Sequence, residues 1–217
     1  MLYLLLYPLH SHHVGFGVLR YETFRSVMAG LAALALSLAL GPILIERFRA
    51  AHVGQTIRDE VPQAHQKKAG TPTMGGLLIL TSAVFATIAL ADVRDPFVWI
   101  VLFVAISFGA VGLTDDMWKL RRGRGQGISG RQKLGWSFFF AAVAASFLFG
   151  AMHFDTHLTI PFAKNLHPDL RWWGYIPFAV LVIVGSSHAV NLTDGLDGLA
   201  IGPVMTTAFT YWIFTYV

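Results

Sequence analysis

The chain has 217 residues, 55% of them hydrophobic and 13% charged, with a formal charge of +4. A soluble domain of this size carries about a quarter charged residues, so the balance excludes an ordinary soluble enzyme and points to an integral membrane protein. There is no cysteine, which excludes disulfides and thiolate metal sites.

The first residues, Met1–Leu9, are apolar but short. They lack a basic leader and a small-residue cleavage site, so they read as an amphipathic lead-in lying along the membrane surface rather than a cleaved signal peptide. Six apolar runs follow, at Val27–Ile45, Thr73–Ala91, Pro96–Thr114, Leu134–Met152, Gly174–Val190 and Leu199–Val217. Each is near the roughly 20 residues that span a bilayer, and backbone groups in hydrocarbon must pair within their own segment, so all six are predicted helices. The fold class is therefore an all-α integral membrane protein, a polytopic transmembrane helix bundle, with residues 1–217 as one transmembrane domain.

Eleven of the sixteen Lys and Arg residues fall in two connectors. Arg47, Arg49, Arg58, Lys67 and Lys68 follow the first run, and Lys119, Arg121, Arg122, Arg124, Arg131 and Lys133 surround the junction of the third and fourth. The positive-inside rule makes these connectors cytoplasmic and the N-terminus periplasmic. Trp172-Trp173 then falls at the outer interface, where an aromatic belt is expected.

The cytoplasmic side carries three polar constellations. The first, Lys67 to Gly76, has lysines, Thr71 and Thr73 as candidate helix caps, Pro72 near the helix start and the flexible Gly75-Gly76 pair. Unpaired N–H groups at such a helix start, beside Lys68, suit a phosphate; an ordinary capped helix is the plainer reading. The second is Asp115-Asp116, read as the tail of the third helix. Adjacent helical residues diverge by about 100°, so one carboxylate can face a reacting group or metal while the other accepts from Lys119 or Lys133. Two close carboxylates suit a general base or a divalent-cation site. Negative charge at a helix C-terminus is unfavourable, and tolerance of that cost favours function over a solvated helix end. Lys133 opens the fourth helix within reach of the pair, or else snorkels at the interface.

The third constellation runs from Ala189 to Ala200 and carries Asn191, Asp194 and Asp197. A step of three residues turns about −60° around a helix, which would set the three on one face. Ionisable groups between membrane-length runs are functional candidates by default.

Two motifs are set aside. Gly125-Gln126-Gly127-Ile128-Ser129-Gly130 fits a dinucleotide fingerprint, but no strand precedes it. Asn191-Leu192-Thr193 fits a glycosylation sequon on the wrong side of the membrane. His10, His12 and His13 read as exposed polar residues, and His188 is assigned no chemistry.

Taken together, Lys68-x-Gly70-Thr71-Pro72-Thr73-Met74-Gly75-Gly76, the Asp115-Asp116 pair and Asn191-Leu192-Thr193-Asp194-Gly195-Leu196-Asp197-Gly198-Leu199 resemble the phospho-N-acetylmuramoyl-pentapeptide-transferase family, a branch of the polyprenyl-phosphate N-acetylhexosamine-1-phosphate transferases. The resemblance implies transfer of phospho-N-acetylmuramoyl-pentapeptide from its UDP derivative to undecaprenyl phosphate, with Mg²⁺, giving lipid I and UMP at the cytoplasmic face of a bacterial inner membrane. It implies Asp115 and Asp116 as the catalytic pair, with an Asp of the pair serving as base or as covalent nucleophile. It implies Lys68, Thr73, Lys133, Asn191 and Asp194 in the substrate cleft and Asp197 as a metal ligand. The partners it implies are the two substrates, the bilayer and a second copy of the chain, with no nucleic acid.

Two departures from the family pattern stand out. Members usually carry Asn where this chain has His188. The family also has about ten membrane helices of about 20 residues each, against six here, with a further Asp and a histidine-rich motif expected beyond residue 217. Two other readings compete with this one. A sister transferase acting on UDP-N-acetylglucosamine would be separated by assay of both donors, and the Gly70–Gly76 signature opposes it. A non-enzymatic bundle such as a transporter half should place its charges at the bilayer midplane with internal repeats, whereas these charges sit at helix ends and no repeat is visible.

Overall fold

The computed structural model describes residues 1–50, 75–122, 127–152, 154–160, 166–194 and 199–215. Each of the six apolar runs contains a helix: α1 (Glu22–Ala50), α2 (Gly75–Leu90), α3 (Pro96–Arg122), α4 (Gly130–Met152), α5 (Arg171–Thr193) and α6 (Ile201–Phe214). By length and composition α1, α3, α4 and α5 are fit to cross a membrane. Among the described residues the apolar α2 has 16 residues and α6 has 14.

The helices overrun the apolar runs at several ends. Once a helix is nucleated each further residue adds a bond to the carbonyl four back, so the helix does not stop where the hydrocarbon does. The third apolar run ends at Thr114 with Asp115-Asp116 expected as the helix tail, yet α3 continues to Arg122. Asp115 and Asp116 therefore lie inside the helix, about two turns before its end. The macrodipole acts mainly within the last turn, and here that turn holds Lys119 and Arg121. The cost once assigned to the carboxylates is absent, and the helix end has complementary charge.

The chain divides into two compact units, Met1–Phe140 and Ala141–Val217. In the first, α1 packs along α2 and α2 against α3. Where α2 meets α3, a Cβ on Gly109 would overlap the end of the Leu80 side chain. Small side chains at such contacts are the usual means of joining membrane helices, because lipid tails leave no hydrophobic drive between them. Hydroxyls in these helices bond back to their own backbone: Thr81 to Leu77 O at 2.8 Å, Thr114 to Ala110 O at 2.7 Å and Ser137 to Lys133 O at 2.9 Å. The lead-in forms a short helix, Leu2–Leu6, and two 3-10 turns, Tyr7–Ser11 and Val14–Arg20. The ring of Tyr3 lies 4.1 Å from the Arg25 guanidinium, a cation–π contact that accommodates a buried arginine beside Glu22.

In the second unit the chain between α4 and α5 pairs with itself. His157 and Asp169 form an antiparallel bridge, and Leu158 N–H donates to Pro168 O at 3.0 Å. Asp169 accepts from the Thr156 hydroxyl and from the backbone N–H of Arg171, which ties this pairing to the start of α5. The large apolar side chains Leu38, Phe85, Val101, Phe139, Leu181 and Phe209 are exposed, as lipid-facing residues must be.

Candidate functional site

The polar centre of the first unit lies where α3 runs toward its basic end and α4 begins. Asp115 is only 8% exposed. Its Oδ2 stands 2.8 Å from Lys119 Nζ, one turn along, and 3.8 Å from Lys133 Nζ on α4. Its Oδ1 accepts the backbone N–H of Ile128 at 2.9 Å. A buried carboxylate left unpaired is strongly disfavoured, and here both oxygens are engaged.

Asp116 has a different setting. Its Oδ1 accepts from Lys119 at 3.2 Å, and its side chain remains 39% exposed. It stands at one edge of a cleft of about 670 Å³ between α2 and α3, lined otherwise by groups such as Leu80, Phe85, Ile106 and Leu113. The 100° divergence of neighbouring residues thus sends one carboxylate into a lysine cluster and the other to an apolar cleft.

The start of α4 is built by a capping box. Ser129 Oγ accepts the N–H of Gln132 at 3.3 Å, while Gln132 Oε1 accepts the N–H of Ser129 at 3.3 Å. The Ser-x-x-Gln pattern was legible in the sequence and was missed; it starts α4 at Gly130, so Lys133 lies inside the first turns rather than at the helix opening. Beside it, Trp118, Ile128, Gln132, Trp136 and Phe140 line a second cleft of about 430 Å³.

Of the residues singled out from the sequence, Asp115, Asp116 and Lys133 come together. Asn191 lies in the last turn of α5 and Asp194 caps its end; both belong to the second unit and both are exposed. Of the helical face expected for Asn191, Asp194 and Asp197, Asn191 lies on α5, while Asp194 caps the helix after Thr193 with φ −76° and ψ 54°, outside the helical region. Lys68, Thr71, Thr73 and Asp197 lie outside the described residues.

Among the described residues no group of three His, Cys, Asp or Glu side chains is placed to hold a metal ion. Mg²⁺ commonly takes one or two carboxylates, with substrate phosphates and water completing six oxygens. Asp115 does not fit that role, because two ammonium groups face its Oδ2. Asp116 fits as a single carboxylate ligand through the oxygen that Lys119 does not engage.

Long apolar helices define a multi-pass membrane protein, and in its first unit paired carboxylates and lysines gather where α3 meets the start of α4. The glycosyl transferase family 4 model matches residues 98–217, more than half of the chain, and the chain belongs to that family. A phospho-N-acetylmuramoyl-pentapeptide-transferase signature matches residues 68–80. Along its whole length the chain is 50% identical to the phospho-N-acetylmuramoyl-pentapeptide-transferase of Desulfatibacillum aliphaticivorans, 48% to that of Oleidesulfovibrio alaskensis and 47% to that of Pelobacter propionicus. It spans 60% of the length of each of these relatives.

Proposed function

We propose that the protein transfers phospho-N-acetylmuramoyl-pentapeptide from its UDP derivative to undecaprenyl phosphate, releasing UMP, with its site on the cytoplasmic face of the membrane. The observation that carries this reading is the Asp115–Asp116–Lys119–Lys133 cluster beside an apolar cleft, in a chain of this family.

An oxygen of the lipid phosphate attacks the sugar-bearing phosphorus of the donor. The bond from that phosphorus to the bridging oxygen breaks, and UMP leaves with the bond's electrons. Such a step needs charge neutralisation and in-line placement more than covalent help. Lys119 and Lys133 supply positive charge, and Asp115 holds both ammonium groups in register. Asp116, open to the cleft, is placed to meet the lipid phosphate. Mg²⁺, when bound, would neutralise pyrophosphate charge, with Asp116 as one ligand. By their match to the family motifs, Lys68, Thr73, Asn191 and Asp194 are read as substrate-binding residues and Asp197 as a metal ligand.

The test is UMP release by purified protein of the relatives' full length, given undecaprenyl phosphate, Mg²⁺ and either UDP-N-acetylmuramoyl-pentapeptide or UDP-N-acetylglucosamine. Turnover with the pentapeptide donor alone is expected. Turnover only with the other donor would move the protein to a sister activity, and none with either would overturn the reading.

A further inference from the structure

The Gly125–Gly130 stretch has no place in dinucleotide binding, yet one of its glycines touches the site. The position that a Cβ on Gly127 would take is already filled: it would overlap Asp115 Oδ1 and lie 2.8 Å from Asp115 Cγ and 3.1 Å from Lys119 Cε. Other glycines nearby differ. A Cβ on Gly130 or Gly135 would meet nothing within 4 Å.

The next residue explains why the backbone comes so close. Ile128 N–H donates to the same Oδ1, and a 2.9 Å bond to a carboxylate that is 8% exposed forces the preceding residue against it. Oδ2 is meanwhile held by Lys119 and Lys133. The carboxylate is thus clamped by backbone on one oxygen and two ammonium groups on the other. A methyl at residue 127 can be accommodated only by turning the carboxylate or lifting the backbone. Turning it moves Oδ2 and re-aims both lysines; lifting the backbone breaks the Ile128 bond.

We infer that Gly127 is a positioning residue, whose missing side chain lets the backbone seat the Asp115 carboxylate and through it Lys119 and Lys133. The kinetic consequence rests on the transferase reading above; the contact itself does not.

The experiment compares Gly127→Ala with Gly135→Ala in the full-length protein, by steady-state UMP release and by hydrogen exchange at the Ile128 amide. Gly127→Ala is expected to lower kcat about a hundredfold, the effect of displacing a reacting group's support by roughly 1 Å, with the KM for the nucleotide donor changed less than about threefold. Exchange at Ile128 should speed up in that variant. Gly135→Ala should match wild type in both measurements. Wild-type kcat in Gly127→Ala, or an unchanged Ile128 exchange rate, would overturn the inference. Equal loss of kcat in Gly135→Ala would also overturn it, by showing a general sensitivity to alanine. If wild type releases no UMP, the transferase reading fails, and the exchange measurement alone decides the role of Gly127.

Discussion

Lys133 Nζ stands 3.8 Å from Asp115 Oδ2, so the first turns of α4 are tied to a carboxylate inside α3. Lys119 is nearer, at 2.8 Å, and also reaches Asp116. The two lysines should therefore differ in weight. Lys119→Met leaves a buried carboxylate with only a distant cation and the Ile128 amide, and should cost about 1–3 kcal/mol of stability in detergent. Lys133→Met removes a looser pair and should cost about 1 kcal/mol or less. Thermal unfolding of both variants checks the order; an equal or larger loss for Lys133→Met would refute the geometry.

Asp115 and Asp116 should fail differently. Asp115→Asn and Asp116→Asn are each expected to reduce UMP release by at least about a hundredfold, the scale of losing one preorganised electrostatic group. Titration with Mg²⁺ separates them. Residual turnover of Asp116→Asn should need more Mg²⁺ than wild type, whereas that of Asp115→Asn should not. Identical Mg²⁺ dependence in the two variants would remove Asp116 as a metal ligand.

Gly109 is the point at which α2 and α3 come together. Gly109→Leu would drive four carbons into the space of Leu80 and should cost about 1–3 kcal/mol through overpacking. Gly30, whose Cβ position is open, serves as the contrast. There Gly→Ala within α1 should gain about 0.5–1 kcal/mol from lower chain entropy. Melting temperatures moving in the same direction for both variants would contradict the packing.

The pairing between α4 and α5 should depend on pH. His157 Nδ1 lies 2.6 Å from Asp155 Oδ1, and this hydrogen bond raises the imidazole above its ordinary 6.5 and lowers the carboxylate below its ordinary 3.8. A raised histidine stabilises the folded loop below about pH 6.5 and loses that contribution as pH rises through the elevated value. A lowered aspartate stabilises it above about pH 3.8 and loses that as pH falls through the depressed value. The pair is therefore complete between these limits. NMR titration of His157 should show a midpoint above 6.5 that returns toward 6.5 in Asp155→Asn; the same midpoint in both proteins would exclude the pair.

Membrane orientation is testable because the chain has no native cysteine. Cysteines placed at Ser11 and Gln63 should react oppositely with an impermeant thiol reagent on intact cells, Ser11 labelled and Gln63 protected. The reverse pattern would put the lysine-rich connectors, and the site, on the outside.

Apolar length and the placement of Lys and Arg determined the helical character of all six runs, because hydrocarbon leaves a backbone only its own carbonyls to pair with. The acidic pair and its basic neighbours were also legible from composition alone. Helix ends were not. Polar residues at Thr114–Asp116 look like a membrane exit, but local hydrogen bonding carries α3 to Arg122, while α5 stops at Thr193 where an unbroken face was expected. Nor could spacing divide the labour between Asp115 and Asp116. That follows from Lys133 and Ile128, which meet Asp115 from beyond the helix, at the capped start of α4. Gly127 is the sharpest case. Its requirement comes from a carboxylate twelve positions earlier in the chain, and a steric contact of that kind has no period, propensity or motif by which the chain alone could announce it.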